Sequence, residues 1–353
     1  MLLAALILAA SCDPNNYFSK NDGKSTDPDP EPEPQPAEVT YHFGADISWV
    51  TEMEKNGYKF YNAQGAETEC TALMQEIGCT AIRLRVWVNP TDGWCNAQDV
   101  LVKAKRAQKL GLKLMIDFHY SDWWADPSKQ NIPDAWKDYD VTQMAKAVSD
   151  HTTEVLSLLS KNGVDVAWVQ VGNETNTGML WPLGSVSSSD CSGFVSFLKA
   201  GYDATKAVYP DAKVILHHSN AQELEKNQWF YDIIKKGGVV YDIIGLSLYP
   251  SYWDSSINAF PDWTPYCKLA VGNFKTLHER YSKPVMLVEF GMPVSEPDKC
   301  KAALQYLIDG TKDYDWFGGI FYWEPESEHS RNGYDYGAFA GGKPTAALDP
   351  FKN

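Results

Sequence analysis

Two glutamates stand where apolar runs end. Glu174 follows Val169-Gln170-Val171-Gly172-Asn173, and Glu289 follows Val285-Met286-Leu287-Val288. A carboxylate in such a place loses hydration when the run is buried, which natural interiors seldom tolerate unless the group has a partner or a task. The chemistry that most regularly asks for two carboxyls facing one another is glycosidic bond cleavage, with one group on each side of the bond. The purely structural alternative is a salt bridge to an arginine, and Arg83 and Arg85 are available for it.

The elements that would have to carry these residues form a pattern. Short β-branched or apolar runs recur at Tyr41–Ile47, Ala81–Trp87, Lys113–Phe118, Val166–Val171, Lys213–His217, Tyr241–Leu246, Pro284–Glu289 and Gly318–Trp323. Amphipathic helical stretches separate them, as in Ala97–Leu110, which Gly111 is placed to end. Eight strands alternating with helices predict an α/β fold, a (β/α)8 TIM barrel with a single catalytic domain. Such a barrel keeps its chemistry at the C-terminal ends of the strands. The run ends obey: Asp46 to Trp49, Arg83 with Arg85 and Trp87, Asp117 with His119 and Tyr120, Asn173 with Glu174, His217 with Asn220, Tyr249, Glu289, and Trp323 with Glu324.

The rest of the chain sets the context. Met1 to Ala10 is an apolar run fit for a signal peptide and too short to span a bilayer. It leads into Ala9-Ala10-Ser11-Cys12, which resembles a bacterial lipobox, so residues 1–12 are expected to be a lipoprotein signal with the acyl anchor on Cys12. Residues 13–39, with proline at every second position from Pro28 to Pro36 and acidic residues between, read as an extended linker. The catalytic domain is then 40–353, at the bacterial cell envelope, large for one sandwich but ordinary for one barrel. A net charge of −15 without a basic stripe argues against nucleic acid. Thirteen tryptophans suit a neutral, flat-faced partner such as sugar as well as they suit a large core. Six cysteines beyond Cys12 show no zinc spacing, and no pairing is assigned to them.

Several blocks together resemble glycoside hydrolase family 53 of clan A, the endo-β-1,4-galactanases. They are Gly44-Ala45-Asp46-Ile47-Ser48, Arg83-Leu84-Arg85-Val86-Trp87, Asp117-Phe118-His119-Tyr120-Ser121-Asp122-Trp123-Trp124 and Gln170-Val171-Gly172-Asn173-Glu174, with Glu289 near the end of a late strand. The stretch Glu289-Phe290 departs from the Glu-Thr of many relatives. The resemblance implies retaining endo-hydrolysis of β-1,4-galactosidic bonds in pectic type I (arabino)galactan, with galactan and galacto-oligosaccharides as partners and a monomeric enzyme. It implies Glu174 as acid/base, Glu289 as nucleophile, and Arg83, Trp87, Asp117, His119, Asp122, Trp124, Asn173, Tyr249 and Trp323 around the substrate. Trp123, the loop 178–192 and Trp253 are expected to shape the cleft.

No cofactor is expected. Adjacent His217 and His218 would point to opposite faces of a strand and could not share a metal. Some relatives carry a structural calcium, for which Asp335 and carbonyls between Ser327 and Asn332 would offer oxygens. The alternatives are another clan A endo-β-glycanase, a mannanase or cellulase, and a non-catalytic glycan-binding lipoprotein.

Overall fold

Eight parallel strands close into a barrel in chain order. They are β1 (His42–Asp46), β2 (Ala81–Val86), β3 (Lys113–Phe118), β4 (Trp168–Val171), β5 (Lys213–His218), β6 (Ile243–Leu248), β7 (Val285–Phe290) and β8 (Phe317–Trp323). The computed structural model describes residues 39–186, 190–252 and 254–352. The expected signal peptide, lipobox and linker, part of the loop 178–192, and Trp253 lie outside the described residues. The α/β barrel expected from the strand and helix pattern is the fold observed.

Local chemistry explains the helices around it. The helix Ala97–Lys109 starts on Asn96, whose side chain accepts the N–H groups of Gln98 and Asp99, and stops before Gly111 at φ +72°. The helix Val141–Lys161 opens on a reciprocal capping box between Asp140 and Gln143. Both turn their apolar stripes onto the outward residues of the strands, where the main core lies.

Inside the barrel, side chains alternate with the period of two that a pleated strand imposes. Ala81, Met115, Trp168, Ile215, Ile243, Met286, Val288 and Phe321 fill the lower interior as a separate apolar cluster. Farther along the same strands Asp46, Arg83, Asp117, Gln170, His217, Ser247 and Glu289 are all buried. Apolar packing below therefore supports a polar layer above, to which seven of the eight strands contribute.

Two differences from the expected strands matter. The sixth runs to Leu248 rather than ending at Leu246, because the Ser247 hydroxyl is satisfied inside the barrel by His217 at 2.6 Å. A serine need not end a strand when its hydroxyl has a buried partner. The seventh carries a bulge. Against β6, the partners step from Leu246↔Leu287 to Ser247↔Glu289, and against β8 from Ile320↔Leu287 to Tyr322↔Phe290. One extra residue on β7 breaks the alternation, so Val288 packs in the inner cluster while Glu289, its immediate neighbour, also reaches the polar interior.

Candidate active site

Arg83 is the centre of the polar layer. It is fully buried, and its Nη1 donates to Asp46 Oδ2 at 2.7 Å. Its Nη2 lies 2.9 Å from Asp117 Oδ2, Glu289 Oε1 and Asn173 Oδ1. Burial by itself raises the Asp117 carboxyl, but the Arg83 guanidinium and His119 together outweigh it and hold Asp117 below the usual carboxylate range. Asp117 also takes a hydrogen bond from His119 Nε2 at 3.0 Å. The other ring nitrogen, Nδ1, accepts the backbone N–H of Ala125 at 3.1 Å and the indole N–H of Trp87 at 3.3 Å, which fixes the proton on Nε2.

Glu289 is held at both oxygens, Oε1 by Arg83 and Oε2 by the Tyr249 hydroxyl at 2.9 Å. Glu174 leaves β4 differently. Gly172 turns at φ +85°, where a Cβ would meet Thr175 Cγ2 at 2.6 Å, and Glu174 itself sits at φ +43°. Gln130 Nε2 stabilises this strained exit by donating to the Asn173 carbonyl at 2.9 Å. Tyr120, Asn220 and Glu324 take left-handed φ at the exits of β3, β5 and β8 as well, so half of the strands end in a backbone state that favours glycine.

Behind Glu174 lies a neutral relay. Two donors face His217 Nδ1, the Glu174 N–H at 3.3 Å and Gln170 Nε2 at 3.0 Å. Asn173 Oδ1 is also 3.0 Å away but already accepts from Arg83 and Gln170. The His217 proton is therefore on Nε2, directed at Ser247 Oγ, and burial pushes the ring well below its ordinary pKa. The Ser247 hydroxyl is then free to bond Glu174.

The two glutamates share one cleft of about 570 Å³, lined also by His119, Trp124, Asn173, Tyr249, Tyr252 and Trp323. Burial raises both carboxyls, and each is pushed further by nearby negative charge. For Glu289 the largest opposing influence is Arg83, and Tyr249 adds to it. Of the two, only Glu289 touches the guanidinium, a contact that favours its charged form.

The expected site residues separate into groups. Glu174, Glu289, Asn173, His119, Tyr249, Trp124 and Trp323 meet in the cleft. Arg83 and Asp117 lie beneath it, fully buried. Trp87, 3% exposed, faces an adjoining cavity of about 280 Å³ walled also by Trp49, Trp94, Trp123 and Trp124. Asp122 is outside both. Its two oxygens accept the N–H groups of Asn89 at 2.8 Å and Asp134 at 2.9 Å, so it clamps loops together. Gln170, Ser247 and Gln130 were not singled out from the sequence. A polar residue inside an apolar strand is a signal that could have found the first two, whereas nothing marks Gln130 in its loop. All six described cysteines are unpaired. His217 points into the barrel while His218 packs on Phe230, with ring centroids 4.9 Å apart. Asp335 is engaged by His329 at 2.8 Å, and no three His, Cys, Asp or Glu side chains converge on a metal position among the described residues.

A barrel with two carboxyls at the ends of β4 and β7 occurs in many enzymes, and sequence comparison decides among them. The profile of Glycosyl hydrolase family 53 matches residues 42–315. The chain belongs to this family. It is a glycoside hydrolase. Among family relatives, a probable arabinogalactan endo-beta-1,4-galactanase A of Aspergillus terreus is 32% identical over 314 residues, covering 82% of this chain and 86% of its own. An uncharacterized protein in the bgaB 5' region of Niallia circulans is 35% identical over 269 residues, 74% of this chain and 70% of its own. A solved structure from a study of two fungal beta-1,4-galactanases superposes with a TM-score of 0.79 at 27% identity, covering 89% of this chain and 99% of that one.

Proposed function

We propose that this family 53 hydrolase cuts β-1,4-galactan, including the galactan of pectin, at internal bonds by a retaining double displacement. The carrying observation is the asymmetry of contacts: Arg83 and Tyr249 bond the two oxygens of Glu289, which favours its anion, while Glu174 has only the Ser247 hydroxyl and is read as the partner that keeps a proton. One oxygen of Glu289 attacks the anomeric carbon as Glu174 gives its proton to the departing glycosidic oxygen. Forming the ester removes the charge of Glu289, so the pKa of Glu174 falls. Glu174 then takes a proton from water, which attacks the anomeric carbon and releases Glu289. Asn173, held through Oδ1 by Arg83, is placed to meet the sugar 2-hydroxyl. Trp323 and Trp124 supply aromatic surface for the ring.

The substrate reading rests on the galactanase names of the relatives and on stereochemistry. The axial C4 oxygen of galactose makes galactan coil, whereas β-1,4-glucan and mannan run nearly flat, and a groove shaped to one misplaces the other. A misplacement of about 1 Å costs on the order of a hundredfold in rate. The cavity beside the cleft offers room for further sugar residues, as internal cutting requires. Incubation with pectic galactan is expected to lower viscosity early and to release mixed galacto-oligosaccharides before free galactose. Faster hydrolysis of mannan or carboxymethylcellulose would replace this reading by another endo-β-glycanase of the same clan.

The protonation states also set a pH profile. Activity needs Glu289 ionised and Glu174 protonated, so kcat/KM falls on the acid side as Glu289 gains its proton and on the alkaline side as Glu174 loses its own. Because burial raises Glu174, the alkaline limb is expected well above the ordinary glutamate value of about 4.3. A pH series of kcat/KM with a limb near that ordinary value would contradict the assignment.

A further inference from the structure

Arg85 stands two residues beyond Arg83 on the same face of β2 and is equally buried. Its Nη1 is ion-paired with Glu324, but Nε and Nη2 have no hydrogen-bond acceptor among the described residues. In their place are aromatic rings. The guanidinium carbon lies 4.2 Å from the ring centroid of Trp124, 4.9 Å from that of Trp49 and 5.2 Å from that of Trp87. A buried cation short of acceptors is costly, and the negative faces of indoles offset that cost when they are held against it.

The rings so held are those that face the substrate space. Trp124 lines the cleft with both glutamates, and Trp49, Trp87 and Trp124 wall the adjoining cavity. Trp49 touches Trp323 at 5.4 Å between centroids, and Trp124 touches it at 5.7 Å, so the set includes the residue at the end of β8. The counter-ion is tied to the same group: Glu324 follows Trp323 at φ +47°, its Oε2 accepts the Trp49 backbone N–H at 3.2 Å, and its backbone N–H bonds the Asp46 carbonyl at 2.9 Å.

We propose that Arg85 is a positioning residue for polysaccharide: the buried cation that fixes Trp124, Trp49 and Trp87 as walls for sugar residues in the cleft and in the adjoining cavity. It acts on binding through the indoles and leaves the two glutamates untouched. The inference rests on the reading of the cleft as a polysaccharide site.

Arg85→Lys is the direct test. Lysine keeps the charge and can reach Glu324, but a compact ammonium cannot lie flat against three rings. The variant is expected to raise KM for pectic galactan about tenfold with kcat within about threefold, an unchanged pH profile, and an altered near-ultraviolet circular dichroism band from tryptophan. A KM within twofold of wild type overturns the proposal, as does a fall in kcat with a shifted pH profile, which would place Arg85 with the glutamates. If Arg85→Lys does not fold, Trp49→Phe reads the same contact from the other side: at least a threefold rise in KM at unchanged kcat supports the proposal, and an unchanged KM overturns it. Should the wild-type enzyme cleave another glycan faster than galactan, the substrate reading fails by itself, and the variants are then measured on that glycan.

Discussion

Replacing Glu289 with glutamine is expected to lower kcat at least about ten-thousandfold on every substrate, roughly 5.5 kcal/mol of lost transition-state stabilisation. The amide retains an oxygen for Arg83 at the place where Oε1 now lies, so the fold should hold and the melting temperature should change little. What it lacks is the nucleophilic anion. The loss should therefore be as severe for an aryl glycoside with a good leaving group as for polysaccharide, because formation of the covalent intermediate fails in both. Reducing-sugar release beside a thermal melt checks this. Activity within tenfold of wild type in a folded variant would remove Glu289 as nucleophile. In the wild type, proton NMR of the earliest products should show the β anomer first. An α anomer appearing first would exclude double displacement.

Glu174→Gln is expected to separate the two kinds of substrate. General acid catalysis contributes about a hundred- to ten-thousandfold, and only when the leaving group needs a proton. On galactan the variant should lose on the order of a thousandfold in kcat. On a nitrophenyl glycoside the first step should be nearly preserved, and the slow second step, now without a base, should let the glycosyl-enzyme accumulate as a burst of nitrophenol. Equal losses on both substrates, with no burst, would deny Glu174 the acid/base role. The geometry behind this prediction is the neutral relay from His217 through Ser247, which offers Glu174 a hydrogen bond without a competing charge.

Both glutamates were legible in the sequence because a carboxylate at the end of an apolar run is costly enough to be conspicuous. The barrel was legible for a related reason. A parallel strand covered on its outer face by helices must be apolar over its length, and eight such runs separated by amphipathic stretches leave few other architectures. Asn173, His119, Tyr249 and Trp323 were readable as strand-end residues, and all four reach the cleft. Asp122 belonged to the same aromatic block and does not reach it. Its carboxylate is spent on two backbone N–H groups of neighbouring loops, and loop paths have no periodicity from which to read them.

What tertiary structure alone decided is orientation. Strict alternation along β7 would place Glu289 on the side of Leu287, in the apolar layer against the helices, and only the extra residue between Leu287 and Phe290 brings it to Arg83. A bulge depends on how two neighbouring strands pair across distances of tens of residues, and a single run of sequence does not encode its partner's register. The same holds for charge. The sequence supplies one arginine, two aspartates and two glutamates for this layer, but which glutamate the guanidinium favours as an anion follows from which of them it touches, and that contact joins residues 206 positions apart. The sequence by itself determined which groups the barrel carries and at which end, because burial and hydration are costs paid residue by residue; their pairing, protonation and aim depend on distances that exist only after the barrel has closed.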